Sequence, residues 1–363
     1  MMCRYRRSDE TFIHDPKQCP FTIRRINETT WLIRENDRFG EHPHIYVKKC
    51  THVDFEGRQS SVLVINDTGV GTNVVRHKSA DQRWNIASFI EEQLNPERTF
   101  SYLIILSHCH YDHILGLNSL LPELHDELSK AKHPSTTPEA VVLSSSHARS
   151  FLEPYDVLVE HSLCASEDLI APVYKTSIWA GDDEPLYYKC SHAPEVQLPI
   201  VTLHTPGHTP DSLSWYDTEE SVIYVGDSFY AQESDDTRSA PWGPEGPAVI
   251  LFPNEGDVVA WWHSLGKIIK FVEARNREGD KRVTLAAGHV TSSADADECL
   301  RNVKLFMTRV LRGAASFVEL PRKRGERFGF WHDKEAHDRG YRFSLGAPLC
   351  VVEKGRQKLA AEL

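Results

Sequence analysis

Short apolar runs alternate with polar punctuation along the chain. Phe21-Thr22-Ile23, Thr30-Trp31-Leu32-Ile33 and His44-Ile45-Tyr46-Val47 are β-rich and separated by Asn, Asp and Gly, which predicts an antiparallel meander. Ser61-Val62-Leu63-Val64-Ile65 is a stronger strand that ends in Asn66-Asp67-Thr68-Gly69. Ile86, Phe89, Ile90 and Leu94 follow helical spacing, so 82–95 reads as an amphipathic helix stopped by Pro96. The uninterrupted run Tyr102-Leu103-Ile104-Ile105-Leu106 has the length of a buried strand. Residues 117–132 are helical in pattern, and Ala140-Val141-Val142-Leu143 is another strand. Residues 150–195 mix short β runs with prolines, as an elaborated loop region would. Three strands follow, around 200–203, 212–216 and 221–225, and then a long loop over 231–254 rich in Pro, Gly and acids. Asp257 is placed to N-cap a helix with Val258, Trp262, Leu265, Ile269 and Val272 on one face. The run Val283-Thr284-Leu285-Ala286-Ala287 reads as the final strand, and 295–312 as the final helix. Strands and helices alternate in two halves, which predicts helices outside two sheets, a four-layer αββα sandwich of α/β class.

The organisation expected is a flexible segment 1–19, a domain 20–320 with loops inserted near 150–195 and 231–254, and a basic, mixed extension over 321–363. Composition changes this picture little. The 40% hydrophobic and 26% charged residues of the 363 describe a globular protein. The formal net charge of −11 makes a nucleic-acid backbone a poor partner. No run is long enough to cross a membrane, and no apolar stretch follows the basic start. The eight cysteines are scattered with no CxxC pair, which predicts reduced thiols and a cytoplasmic protein. Cys109 lies between two candidate ligands and reads as a buried apolar thiol. The expected partner is a small-molecule substrate; the oligomeric state has no signature.

The chemistry concentrates in Ser107-His108-Cys109-His110-Tyr111-Asp112-His113, directly after a buried strand. Imidazole and carboxylate are ligands that zinc and its neighbours accept, and four such groups this close predict two adjacent metal ions. Three later strand ends add His208 in Thr205-Pro206-Gly207-His208-Thr209, Asp227 in Gly226-Asp227, and His289 in Gly288-His289. A carboxylate at Asp227 is able to bridge two metals.

This set, in this order, resembles the metallo-β-lactamase superfamily in its binuclear, glyoxalase-II-like form, over about residues 20–310. The resemblance implies that His108, His110 and His208 hold one metal and that Asp112, His113 and His289 hold the other. It places Asp227 between the two ions and gives Asp67 the task of orienting a ligand. Zinc is expected, with iron or manganese as alternatives. His110 stands where the iron-dependent, oxygen-reducing branch usually has glutamate, and no flavodoxin-like domain follows. The implied reaction is hydrolysis through a metal-bridging hydroxide, with Asp112 as a proton shuttle. Gly-x-Ser-x-Gly is absent, which removes the usual serine hydrolase.

Tyr230 stands three residues after Asp227, a spacing similar to that of the superfamily's quorum-quenching lactonases. That resemblance makes Tyr230 a candidate oxyanion donor. His147 reads as structural rather than catalytic. The aromatic residues Trp179, Phe229, Tyr230 and Trp242 suggest a pocket for a flat substrate. Opening of a lactam or lactone, in detoxification or secondary metabolism, is the first expectation. Thioester hydrolysis is the second, and a metal-binding protein without turnover the third.

Overall fold

The apolar runs pair into two sheets that face each other. A computed structural model describes residues 19–53, 59–76, 79–121, 138–189, 195–230, 240–243, 249–333 and 343–363. In the first sheet, Phe21–Arg25, Thr30–Glu35, His44–Val53 and Gln59–Asn66 form the expected meander. Ser101–Ile105, Ala140–Ser145 and Thr176–Ala180 then join in parallel. The second sheet runs Glu184–Tyr188, Val196–His204, Leu213–Asp217 and Val222–Tyr224, and then Thr284–Ala286 and Ala294–Asp295. Only its 222–224 and 284–286 pairing is parallel.

Alternation along each strand sends one set of side chains between the sheets and the other outward. Leu32, Tyr46, Val64, Leu103 and Ile105 meet Leu198, Ile200, Leu213, Trp215 and Tyr224 in the middle. Outside the first sheet lie Ile86, Phe89 and Ile90 of the helix Ile86–Leu94. Outside the second lie Trp261, Leu265 and Ile268 of Val258–Glu278, with Val303, Phe306 and Val310 of Ala296–Leu311. The protein is therefore a four-layer αββα sandwich, as the alternation of elements predicts. No helix among the described residues is long and apolar enough to cross a membrane.

Several boundaries differ from the sequence pattern. The helix expected over 82–95 begins at Ile86, because Asn85 and Ser88 close a capping box; Ser79–Trp84 instead pairs with Val74–Arg76. Of the helix expected over 117–132, the turn Leu117–Leu120 is present, and 122–137 lie outside the described residues. The region 150–195 is less of a loop than expected. It carries the helix Tyr155–His161 and supplies an edge strand to each sheet. Within 231–254, the strand Ile250–Leu251 is present, whereas 231–239 and 244–248 are not among the described residues. The flexible segment expected over 1–19 also falls outside them, except Cys19.

The strand at 283–287 and the helix at 295–312 are not the last elements. Ser316–Lys323, Glu326–His332 and Ser344–Pro348 join Ile250–Leu251 in a third sheet, and Leu349–Leu359 is a further helix. Trp331, Leu345, Val352 and Leu359 pack into the same core as the helix Val258–Glu278. The strand Ser316–Lys323 has no buried residue, so it lacks the alternation that marks a strand in sequence.

Candidate metal centre

Four strands that end on one edge of the sandwich deliver the parts of a single cluster. After Ser101–Ile105 the chain runs through His108 and His110 into the single turn Tyr111–Ile114, which carries Asp112 and His113. Cys109 points the other way, into the outer core with Ile104 and Leu106. The strand Val196–His204 ends in Pro206-Gly207, where φ is +145° at Gly207 and a Cβ would stand 2.3 Å from that of Trp261. Glycine thus lets the turn lie against the helix and aim His208 at the cluster. The strand Val222–Tyr224 ends at Asp227, and Thr284–Ala286 ends at His289. Between the last two, a Cβ on Gly288 would lie 2.3 Å from Asp227 Oδ1.

The seven side chains form two adjoining groups, and all are buried. In the first, His108 Nε2 lies 3.0 Å from His110 Nδ1, and His208 Nε2 is 3.2 Å and 3.0 Å from the same two atoms. In the second, Asp112 Oδ2 lies 3.3 Å from His113 Nε2 and 3.1 Å from His289 Nε2. Asp227 Oδ1 is 3.4 Å from His113 Nε2, and its Oδ2 is 3.4 Å from His289 Nε2. That same Oδ2 is 4.0 Å from His108 Nε2, so Asp227 stands between the groups.

Hydrogen bonds on the far side of the rings decide which nitrogens face inward. A carbonyl only accepts, so His208 Nδ1–H donates to Leu251 O at 2.6 Å and His289 Nδ1–H to Glu41 O at 2.9 Å. His113 Nδ1–H donates to Asp67 Oδ2 at 3.0 Å. Ser107 gives its hydroxyl proton to Asp67 at 2.8 Å, which leaves its oxygen to accept from His108 Nδ1–H at 3.0 Å. In their neutral form these four rings therefore turn an Nε2 lone pair toward the cluster. His110 presents Nδ1 instead, and its Nε2 is a buried atom without a hydrogen-bond partner.

Three mutually facing nitrogens cannot satisfy one another with protons. Burial and the neighbouring imidazoles hold the pKa of His108 and His110 well below the ordinary range, and burial lowers His208. In the second group burial opposes charge on every member and loses. Asp227 and Asp112 raise His113 and His289, while those two rings lower both carboxyls. The arrangement leaves two buried carboxylates and converging ring nitrogens. That donor set fits divalent cations, which would satisfy at once what protons satisfy only in part.

Other residues singled out in the sequence lie differently. Asp67 stands behind His113 and Ser107 at φ +61°, the position from which it orients a ring. Tyr230, the candidate oxyanion donor, lies beside the cluster with its hydroxyl directed elsewhere. Its ring is 6.4 Å from that of His289, but its hydroxyl donates its one proton to Val249 O at 2.7 Å. His147 stacks on His204 at 4.3 Å, a packing role. Trp242 stacks on His42 at 5.3 Å, next to the Glu41 carbonyl that holds His289, whereas Trp179 lies under Arg149 against the outer core. Sequence reasoning missed Leu251, Glu41 and Ser107. The first two act through backbone carbonyls, which carry no residue signal; Ser107 was adjacent to the motif and open to inference.

The family model of the metallo-β-lactamase superfamily matches residues 64–276, and the chain belongs to that superfamily, whose members are in general metal-dependent hydrolases. A curated protein of Aspergillus versicolor named "Putative transcription factor avaE" is 28% identical over 303 residues, covering 81% of this chain and 77% of that one. A metallo-β-lactamase family protein of Thermus thermophilus is 16% identical with a TM-score of 0.48, covering 80% and 82% of the two chains. A β-lactamase domain protein of Burkholderia ambifaria is 14% identical with a TM-score of 0.47, covering 80% and 78%.

Proposed function

We propose that the protein is a binuclear metal-dependent hydrolase that opens a small cyclic amide or ester. The observation that carries the hydrolase reading is the pair of buried ligand groups joined at Asp227. In this reading His108, His110 and His208 hold one ion and Asp112, His113 and His289 the other, with zinc favoured by the nitrogen-rich set. When bound, the ions would supply Lewis acidity at the carbonyl and a water of lowered pKa.

The chain's own groups do the rest. The Leu251 and Glu41 carbonyls and the Asp67 carboxylate fix His208, His289 and His113, so little reorganisation is left for the reaction. Asp112, a buried carboxylate, is the proposed acceptor of the attacking water's proton and its donor to the leaving atom. Trp242, stacked on His42 and lying under the Arg34 guanidinium, is the aromatic residue of the pocket proposed for a ring-shaped substrate. One observation favours the second reading, a thioesterase: with the Tyr230 proton engaged by Val249, a good leaving group such as a thiolate needs the least help. The acidic charge of −11 keeps nucleic acid outside the proposal, whatever the name of the Aspergillus relative.

The test is a panel of lactones, lactams and acyl-thioesters with metal-analysed protein, before and after chelation. The expected result is about two ions per chain, lactam or lactone turnover at least about tenfold above thioester turnover, loss on chelation, and no turnover in Asp227→Ala. Thioester turnover alone would move the assignment to the second reading. Trace metal together with no turnover of any class would defeat both.

A further inference from the structure

The turn that presents His289 is strained, and something must hold it. Val290, the next residue, has φ +57° although it is β-branched and buried. Such a residue is a backbone outlier that persists only where its surroundings over-determine it. The turn is closed by Thr291 N–H donating to His289 O at 2.5 Å and Ala287 N–H donating to Thr291 O at 2.8 Å. Gly288 N–H donates to Gly226 O at 2.9 Å within the same sheet, and further restraints come from the opposite sheet. His44 N–H donates to Gly288 O at 2.8 Å. The Tyr46 hydroxyl lies 2.9 Å from Ala287 O and 3.2 Å from Thr291 O, one carbonyl at each end of the turn. Tyr46 has one proton to share between these carbonyls, so His44 Nδ1–H donates to the phenol oxygen at 3.1 Å and fixes its direction.

We infer that Tyr46 is a positioning residue for His289: its phenol spans the sandwich and pins both ends of the strained turn that aims this imidazole. Tyr46 and His289 both lie outside residues 64–276, so two distant parts of the chain meet to complete the second ligand group. The inference rests on the two-ion reading above. A residue acting behind a metal ligand typically changes metal affinity about 10–100-fold, and that is the effect expected here.

The experiment compares wild type, Tyr46→Phe and a matched control, Tyr224→Phe. The Tyr224 ring lies 5.0 Å from that of Tyr46, but its hydroxyl faces Thr30 and Asn27. Zinc bound per chain is titrated against a chelator, and amide hydrogen exchange at 287–291 is followed in metal-free protein. In Tyr46→Phe one ion should stay at wild-type affinity, the other should weaken about 10–100-fold, and exchange across the turn should quicken. The control should show neither change. Unchanged affinity and exchange in Tyr46→Phe, or equal effects in the control, would overturn the inference. A wild type holding a single ion would remove the two-ion reading; the exchange comparison then decides the role of Tyr46, since it needs no metal.

Discussion

Tyr230 has one hydroxyl proton, and Val249 O holds it. Sequence spacing from Asp227 makes this tyrosine a candidate oxyanion donor, but spacing says nothing about where a phenol finds its acceptor. Tyr230→Phe should therefore cost about 1 kcal/mol of stability, the worth of one neutral hydrogen bond, and leave kcat within about threefold. Urea midpoints and steady-state kinetics check both. A kcat loss of about a hundredfold with unchanged stability would return the oxyanion role to Tyr230. The seven clustered residues were legible at this scale because histidine and aspartate at strand ends are rare enough in that order to stand out. The groups that set their tautomers were mostly not legible, because Leu251 and Glu41 serve through carbonyls that any residue supplies.

Among the elements, the helix Val258–Glu278 ties the metal edge to the core. Asp257 caps it by accepting from Val259 N at 2.8 Å and Ala260 N at 3.1 Å, and its own N–H donates to Gly207 O at 2.8 Å. Ser264 Oγ donates to Pro206 O at 2.8 Å, so the helix docks directly on the turn that carries His208. Asp257→Ala should lower stability by about 1 kcal/mol through loss of the cap. Thermal unfolding of metal-free protein measures it, and no shift in midpoint would mean that Gly207 and Ser264 hold the helix start unaided. This helix was readable in sequence from its cap and its apolar stripe, both local features. The third sheet was not. Its partner strand Ile250–Leu251 is two residues long and lies far away in the chain, and the pairing with Leu345 and Gly346 is purely tertiary.

In the whole molecule, the first sheet supports the metal edge with a buried carboxyl group. Glu35 is fully buried and accepts from Val70 N at 2.8 Å and Thr72 N at 2.7 Å, bracing the loop that begins with Asp67. Burial pushes its carboxyl up from 4.5 to about 7, against the pull of the bonds from Thr72 and Val70. The native state then binds this proton more tightly than the unfolded chain does. Stability from this group is full below about 4.5 and is lost as pH rises to about 7. The loss is on the order of 3 kcal/mol at most. Between about pH 4.5 and 7.5, the denaturant midpoint of metal-free protein should fall relative to that of Glu35→Gln. A wild type that tracks the Gln variant would show that the two N–H donors, rather than burial, govern the carboxyl.

The sequence by itself determined the two-half alternation of strands and helices, the strand ends that carry the ligands, and the superfamily. Those features are local: a periodicity, a cap, or a motif within a few residues. The division of the seven side chains into two groups with Asp227 between them was already implied by the resemblance; only the tertiary structure decided the distances within and between those groups and which nitrogen each ring presents. It also decided that Tyr230 turns to Val249 and that Tyr46 reaches the turn of His289, 241 residues away at Ala287. These are contacts between distant segments, and they are set by how the two sheets stack.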